Sequence, residues 1–351
     1  MICRYGKRLG DLSAFKLGLF TENESRLARS LTLAADYRKQ ALREKCKICG
    51  SPLPEKSDFA KHSVPYAFCA TCGHLNGLHE DGDEYFSRLY TADGGKEYGS
   101  VYGAADAQAY RQRVDAIYAP KAKFLSETLA SVGETPAALS YADLGAGSGY
   151  FVAALTSLDL QAVGHEISHA QTEFANAMLA SCYPGGCVER IRSVELATLA
   201  SSLADPVVSM IGVLEHVQDP RAVLAALRGN PAVRYLYLSL PLFSASVLIE
   251  AAFPDIAPRQ LEGGHTHLFT SRSIAWMAEA YQLEKVGEWW FGQDVLDLFR
   301  SITLTLQRNP ETASLAGALT EHMLPLMDSW QLEIDQARFC SEVHLLFRIS
   351  R

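Results

Sequence analysis

The chain has 351 residues, 48% of them hydrophobic and 21% charged, with a formal net charge of −8. This is an ordinary composition for a globular protein, and the length suits one large domain or two smaller ones. The acidic balance argues against general nucleic-acid binding, which leaves a basic footprint. No run approaches the roughly 18 apolar residues of a membrane span, and Met1 to Arg8 lacks the apolar core of a secretory signal.

The first 45 residues are locally basic, with ten Lys or Arg against five Asp or Glu, and read as the solvated face of a helical arm. Thr21 and Glu24 have the spacing of a capping box, opening a helix to about Lys45. Leu27, Leu31, Ala34, Ala35, Ala41 and Leu42 line one side of it.

Cys46, Cys49, Cys69 and Cys72 follow as C-x2-C-x19-C-x2-C, a spacing that suits a closed, tetrahedral and structural Zn2+ site. Gly50 and Gly73 directly follow the two pairs and relieve a tight knuckle in each. Residues 46–90 are therefore expected to form a zinc-ribbon module, too small for an adequate core without its metal. With four thiolates supplied, His62 and His74 read as surface residues. Four cysteines in a metal spacing also point to a reducing, cytoplasmic compartment.

Residues 91–120 belong to a stretch rich in Tyr, Gly and Asp, including Tyr90, Tyr98, Tyr102 and Tyr118, which reads as a linker or lid. Regular periodicity returns at Ala105 to Leu129, as a helix. Beyond it, residues 121–351 alternate as a doubly wound α/β fold. Strands are expected at 139–143, 161–166, 188–192, 206–211 and 234–240, a sixth through Glu288 to Phe291, and a last one at Glu342 to Ile349. Residues 241–270 form a long insertion at the C-terminal edge of the sheet, and 310–335 a helical one.

Asp143-Leu144-Gly145-Ala146-Gly147-Ser148-Gly149 sits between a strand and a helix start. Its glycines permit positive φ and close ligand approach, and the helix N-terminus offers unpaired N–H groups to an anion. Glu166 ends the next strand, 23 positions after Asp143, where an acid accepts hydrogen bonds from ribose hydroxyls. Asp143, Gly145, Ala146, Gly147, Gly149 and Glu166 are the candidate cofactor residues, joined by Leu214.

The form of residues 143–149 resembles the first motif of class I S-adenosylmethionine-dependent methyltransferases. Val213-Leu214-Glu215-His216-Val217-Gln218-Asp219-Pro220 is similar to their segment after the fourth strand, and the resemblance covers roughly residues 121 to 295. It implies S-adenosylmethionine as cofactor and a seventh, antiparallel strand at the C-terminus. The order of zinc ribbon, tyrosine-rich segment and methyltransferase domain also resembles bacterial enzymes that methylate sugars, nucleotide-sugar C-methyltransferases among them. Those carry Tyr-His-Glu-His after strand five, where this chain has Gly264-His265-Thr266-His267. Loss of the tyrosine and glutamate favours O- or N-methylation of a sugar or nucleotide sugar over C-methylation. In some similar O-methyltransferases Glu-x-x-Glu-His binds a divalent metal, but Gly212 stands at the first glutamate position.

Methyl transfer from a sulfonium mainly requires alignment, plus a base when the nucleophile is a hydroxyl. The candidate acid–base groups are Glu215, His216, His265 and His267, the last two alternating on one face if extended. His165 precedes the ribose acid and reads as structural. Two other readings exist: a nucleotide-dependent oxidoreductase, which the glycine spacing disfavours, and a catalytically idle fold used as an interaction module.

Overall fold

The computed structural model describes residues 1–8, 18–90, 106–192, 195–263 and 265–351. Tyr98, Tyr102 and Gly264 lie outside these residues. The strands are β1 (Ile2–Tyr5), β2 (Phe59–Lys61), β3 (Val64–Phe68), β4 (Leu75–Gly77), β5 (Ser140–Leu144) and β6 (Gln161–Glu166). They continue as β7 (Cys187–Arg190), β8 (Val207–Ile211), β9 (Tyr235–Pro241), β10 (His267–Leu268), β11 (Leu283–Phe291) and β12 (Glu342–Ile349).

Among the described residues, eight strands form the main sheet in the order β1-β11-β12-β9-β8-β5-β6-β7. β5 to β9 pair in parallel, and β12 runs antiparallel to both β9 and β11. This is the expected doubly wound α/β sheet, completed by an antiparallel C-terminal strand. The chain moves from β5 outward to β7 and then returns to β8 on the other side of β5. The strand order therefore reverses between β5 and β8, where a crevice opens at the C-terminal ends of parallel strands.

Alternation along the strands divides the interior in two. Ala142, Leu144, Leu236 and Leu238 face one hydrophobic cluster, while Tyr141, Tyr235 and Tyr237 face the other. The first cluster also contains Cys46, Ile48, Cys69 and Cys72. The cysteine module thus has its knuckles set into one face of the main sheet's core. Its own sheet runs β10-β4-β3-β2, and β10 comes from residues 267–268, nearly two hundred positions later in the chain.

Several local expectations are corrected. Residues 1–45 are not one helical arm: Ile2–Tyr5 joins the main sheet parallel to β11, and the long helix spans only Asn23–Tyr37. Its N-cap is Glu22, without a side-chain cap bond, so the capping box from Thr21 to Glu24 does not form. Leu31 is 46% exposed because the buried face of the helix runs through Ser30, Ala34 and Tyr37, and Leu42, 69% exposed, lies beyond the helix in a bridge to His79. Asp83–Tyr90 is a helix, which the tyrosine-rich composition concealed. His74, expected at the surface, is fully buried.

Candidate active site

The glycine turn is built by the ends of β5 and β6. Gly145 and Ala146 both donate their N–H groups to the carbonyl of His165, at 2.8 and 3.1 Å. That bond pins the turn over the end of β6, and Gly145, Gly147 and Gly149 all take positive φ, at 72°, 54° and 74°. Gly145 must be glycine for a second reason: an added Cβ would lie 2.6 Å from a methyl of Val213. Gly149 caps the helix Tyr150–Thr156 and backs onto Ala175 and Leu179, away from the cavity.

Glu166 holds this region together. Its carboxylate accepts N–H bonds from Gly147, Ile167 and Ser168, each at 2.8 Å. Burial raises its pKa, and those N–H bonds oppose the rise. Asp143 lies beneath the turn, 2% exposed, and accepts the Ser209 hydroxyl at 2.7 Å. Burial pushes its pKa up to about 7, with the hydroxyl pulling the other way.

A cavity of about 570 Å3 opens in front of these groups, within the usual size range of small-molecule sites. Asp143, Gly145, Ala146, Gly147 and Glu166 line it, and so do Glu215, His216 and His265. Aromatic rings of Phe86, Tyr90, Tyr118 and Tyr150 complete the walls. Leu214 does not reach the cavity: it is fully buried in the sheet's core, and its neighbour Val213 lines the wall instead.

Glu215, His216 and His265 each place one ligand-type atom within 4.8 Å of the others. Among the described residues Glu215 Oε2 has no hydrogen-bond partner, and burial raises the pKa of this carboxyl to about 8. His265 Nδ1 donates to the Gln260 carbonyl at 2.8 Å, since a carbonyl can only accept. Burial lowers the pKa of His265, so the ring is neutral and Nε2 is its basic nitrogen. His216 Nδ1 bonds to the Tyr90 hydroxyl at 2.7 Å.

His267 is separated from this group. It is fully buried in β10, and its Nδ1 meets Nε2 of His74 at 2.8 Å. It does not line the cavity, and burial holds its pKa well below the ordinary imidazole range. The expectation that both histidines share one pocket face fails because the segment pairs with β4, as His267↔Asn76.

Sequence reasoning missed a charged pair at the cavity wall. Lys121 Nζ lies 3.1 Å from Glu342 Oε1, which also accepts Ser239 Oγ at 3.0 Å and meets His344 Nε2 at 2.8 Å. Burial works against ionisation of Glu342, but Lys121 and His344 outweigh it and hold the carboxyl well below the ordinary range. Lys121 sits on a helix and Glu342 opens the last strand, so no local motif announces either.

The four cysteine sulfurs converge within 4.8 Å of one another. Sγ of Cys46 lies 3.6 Å from that of Cys72, and Sγ of Cys49 lies 3.4 Å from that of Cys69. A tetrahedron with metal–sulfur bonds of about 2.3 Å has edges of roughly 3.8 Å, so the donor set fits a zinc ion.

Residues 110–288 match the family model of a methyltransferase domain. The chain belongs to this family. No curated protein matches the chain. Among solved structures, the methyltransferase is similar to magnesium protoporphyrin IX methyltransferase (ChlM) from Synechocystis PCC 6803, with 14% identity and a TM-score of 0.46 over 77% of this chain and 100% of that one. The methyltransferase domain of bacterial CtHen1 has 15% identity and a TM-score of 0.40, over 65% and 97% of the two chains. YcgJ from Bacillus subtilis has 14% identity and a TM-score of 0.38, over 64% and 99%. The family assignment rests on the domain match alone.

Proposed function

We propose that the protein is an S-adenosylmethionine-dependent methyltransferase acting on a polar small molecule, with a sugar or nucleotide sugar as acceptor. The observation that carries this reading is one cavity lined by two unlike groups: a glycine turn with its acid, and a cluster of Glu215, His216 and His265. On the first wall, Glu166 accepts ribose hydroxyls with its remaining lone pairs, while the glycines, lacking a Cβ, let the cofactor approach the turn's backbone closely. On the second, His265 Nε2 takes the proton from an acceptor hydroxyl as the oxygen attacks the methyl carbon. Glu215, whose carboxyl keeps its proton near neutrality, donates a hydrogen bond to the acceptor. The ion pair of Lys121 and Glu342 offers the acceptor further polar contacts. The zinc held by Cys46, Cys49, Cys69 and Cys72 is structural, because four thiolates leave no position open.

The sugar preference comes from the order of segments and from the histidine that survives at position 265. Calorimetric titration with S-adenosylhomocysteine tests the cofactor, and a nucleotide-sugar screen against the saturated protein tests the acceptor. Absence of S-adenosylhomocysteine binding would overturn the reading, and a product methylated on carbon would overturn the O- or N-methyl preference.

A second reading has its own observation. Gly212 breaks the Glu-x-x-Glu-His set, but His265 arrives from another segment and makes a two-His, one-carboxylate group with Glu215 and His216. Such a set suits a divalent metal with open positions, which would polarise an acceptor oxygen. Equilibrium dialysis with Mn2+ separates the two readings, since only the second requires binding beyond the four-cysteine site.

A further inference from the structure

The cysteine knuckles touch the cavity's histidine wall at two separate places. In the first knuckle, Lys47 stands between Cys46 and Cys49 with its side chain 1% exposed. Its Nζ donates to the Val217 carbonyl at 3.0 Å and is ion-paired with Asp81. The Asp81 carbonyl in turn accepts Nε2 of Gln218 at 3.0 Å. The knuckle is held in register by Asn76, whose Oδ1 accepts the Lys47 N–H at 3.0 Å. Val217 and Gln218 directly follow Glu215 and His216, and all four line the cavity.

The second knuckle grips the other histidine segment. Arg272 donates to the carbonyls of Ala70 and Thr71 at 2.7 Å each, and Thr270 Oγ1 donates to that of Gly73 at 3.0 Å. β4, which leaves this knuckle, pairs with β10, and His74 bonds to His267. His265 enters the cavity two residues before His267.

A buried ammonium aimed at one loop carbonyl is not needed to fill space, and Arg43 already pairs with Asp81 at 2.8 Å. We infer that the cysteine cluster sets the spacing of the histidine wall: Lys47 is a positioning residue for the Glu215–Gln218 loop, and Arg272 for the segment carrying His265 and His267. A zinc ion held by Cys46, Cys49, Cys69 and Cys72 would tie the two knuckles into one node, from which both loops would take their separation. This goes beyond a zinc that merely supplies folding free energy, and only its cofactor-affinity arm rests on the methyltransferase reading.

The test uses the metal-loaded, full-length protein and two substitutions, Lys47→Met and Arg272→Met. Imidazole resonances are read by nitrogen-correlated NMR, assigned with His216→Asn and His267→Asn, alongside metal content and melting temperature. The expected result is one zinc per chain in both variants, with His216 resonances displaced by Lys47→Met and His267 resonances displaced by Arg272→Met. S-adenosylhomocysteine affinity should weaken by roughly 3- to 10-fold in Lys47→Met, the scale of one hydrogen bond. If Lys47→Met sheds its metal, Gln218→Ala takes its place, because it breaks the same grip from the cavity side. Variants that lose melting temperature but keep wild-type histidine spectra overturn the inference. So does a protein purified without zinc, or one in which both substitutions move all the histidines together. Failure of S-adenosylhomocysteine to bind wild type would count against the cofactor reading and leave the spectral result intact.

Discussion

The two walls of the cavity are made by opposite means. The glycine wall is local: its turn hangs on one carbonyl of the neighbouring strand, and its acid bonds to N–H groups no further than 19 positions away. The histidine wall is assembled from distant pieces, with Tyr90 reaching His216 across 126 positions and Lys47 reaching Val217 across 170. Backbone geometry demands particular residues at particular spacings, so it leaves a motif. A wall of side chains held by other side chains can exchange its members, and it leaves only scattered histidines and acids.

The largest effect expected on this contrast is at Gly145. With φ at +72° and Val213 methyls at 2.6 and 2.8 Å from any added Cβ, Gly145→Val has no conformation that keeps the turn. S-adenosylhomocysteine binding should disappear from calorimetry while zinc stays bound, and retained affinity would show that the turn is not the cofactor's wall. The next largest separates two histidines that sequence treats alike. His265→Asn should lower turnover by roughly 10²–10⁴-fold, the usual weight of acid–base catalysis. His267→Asn should lower the melting temperature, since His267 is fully buried against His74, and change turnover far less. Equal losses of turnover in both would place the base elsewhere, on Glu215 or His216.

The same contrast explains what the sequence could and could not convey. Strand spacing, the antiparallel last strand, the glycine turn, Glu166 and the four cysteines are all legible because each depends on periodicity or fixed local spacing. The split between His265 and His267 was not, because it depends on β10 pairing with β4, a partner nearly two hundred residues back. Lys121 and Glu342 were invisible for a like reason: one sits on a helix and the other at a strand start, and only the fold makes them a pair. Leu214 misled because a motif gives the segment that lines a site, and the pleat then decides which side chain faces it. The N-terminal strand escaped notice since four residues with half-buried faces carry almost no pattern.

A smaller effect is expected from Glu166→Ala. The substitution removes the acceptor for the N–H groups of Gly147, Ile167 and Ser168 and for the proposed ribose hydroxyls, so S-adenosylhomocysteine should bind more weakly by about 1.5–3 kcal/mol, the range for hydrogen bonds to a charged group. Glu166→Gln should fall between, since one amide oxygen still accepts. Unchanged affinity in the alanine variant would remove the acid from the cofactor site and leave it a purely structural clasp of the turn.

The smallest expected effect tests how dry the glycine wall is. Asp143 has its pKa raised to about 7 by burial, against about 3.9 for an ordinary aspartate. Between those two values the folded protein holds a proton that the unfolded chain has released. Stability must therefore fall as pH rises through that window, and level off above it once both states are ionised. The side chain introduced by Asp143→Asn cannot titrate, yet its amide oxygen can still accept the Ser209 hydroxyl that Asp143 accepts at 2.7 Å. The Asp143→Asn protein should accordingly gain melting temperature relative to wild type as pH rises from about 4 to 7. A difference that stays flat with pH would mean the carboxylate is ionised at neutrality. Water or a donor beyond Ser209 would then reach beneath the turn, and the glycine wall would be as dependent on side-chain partners as the histidine wall.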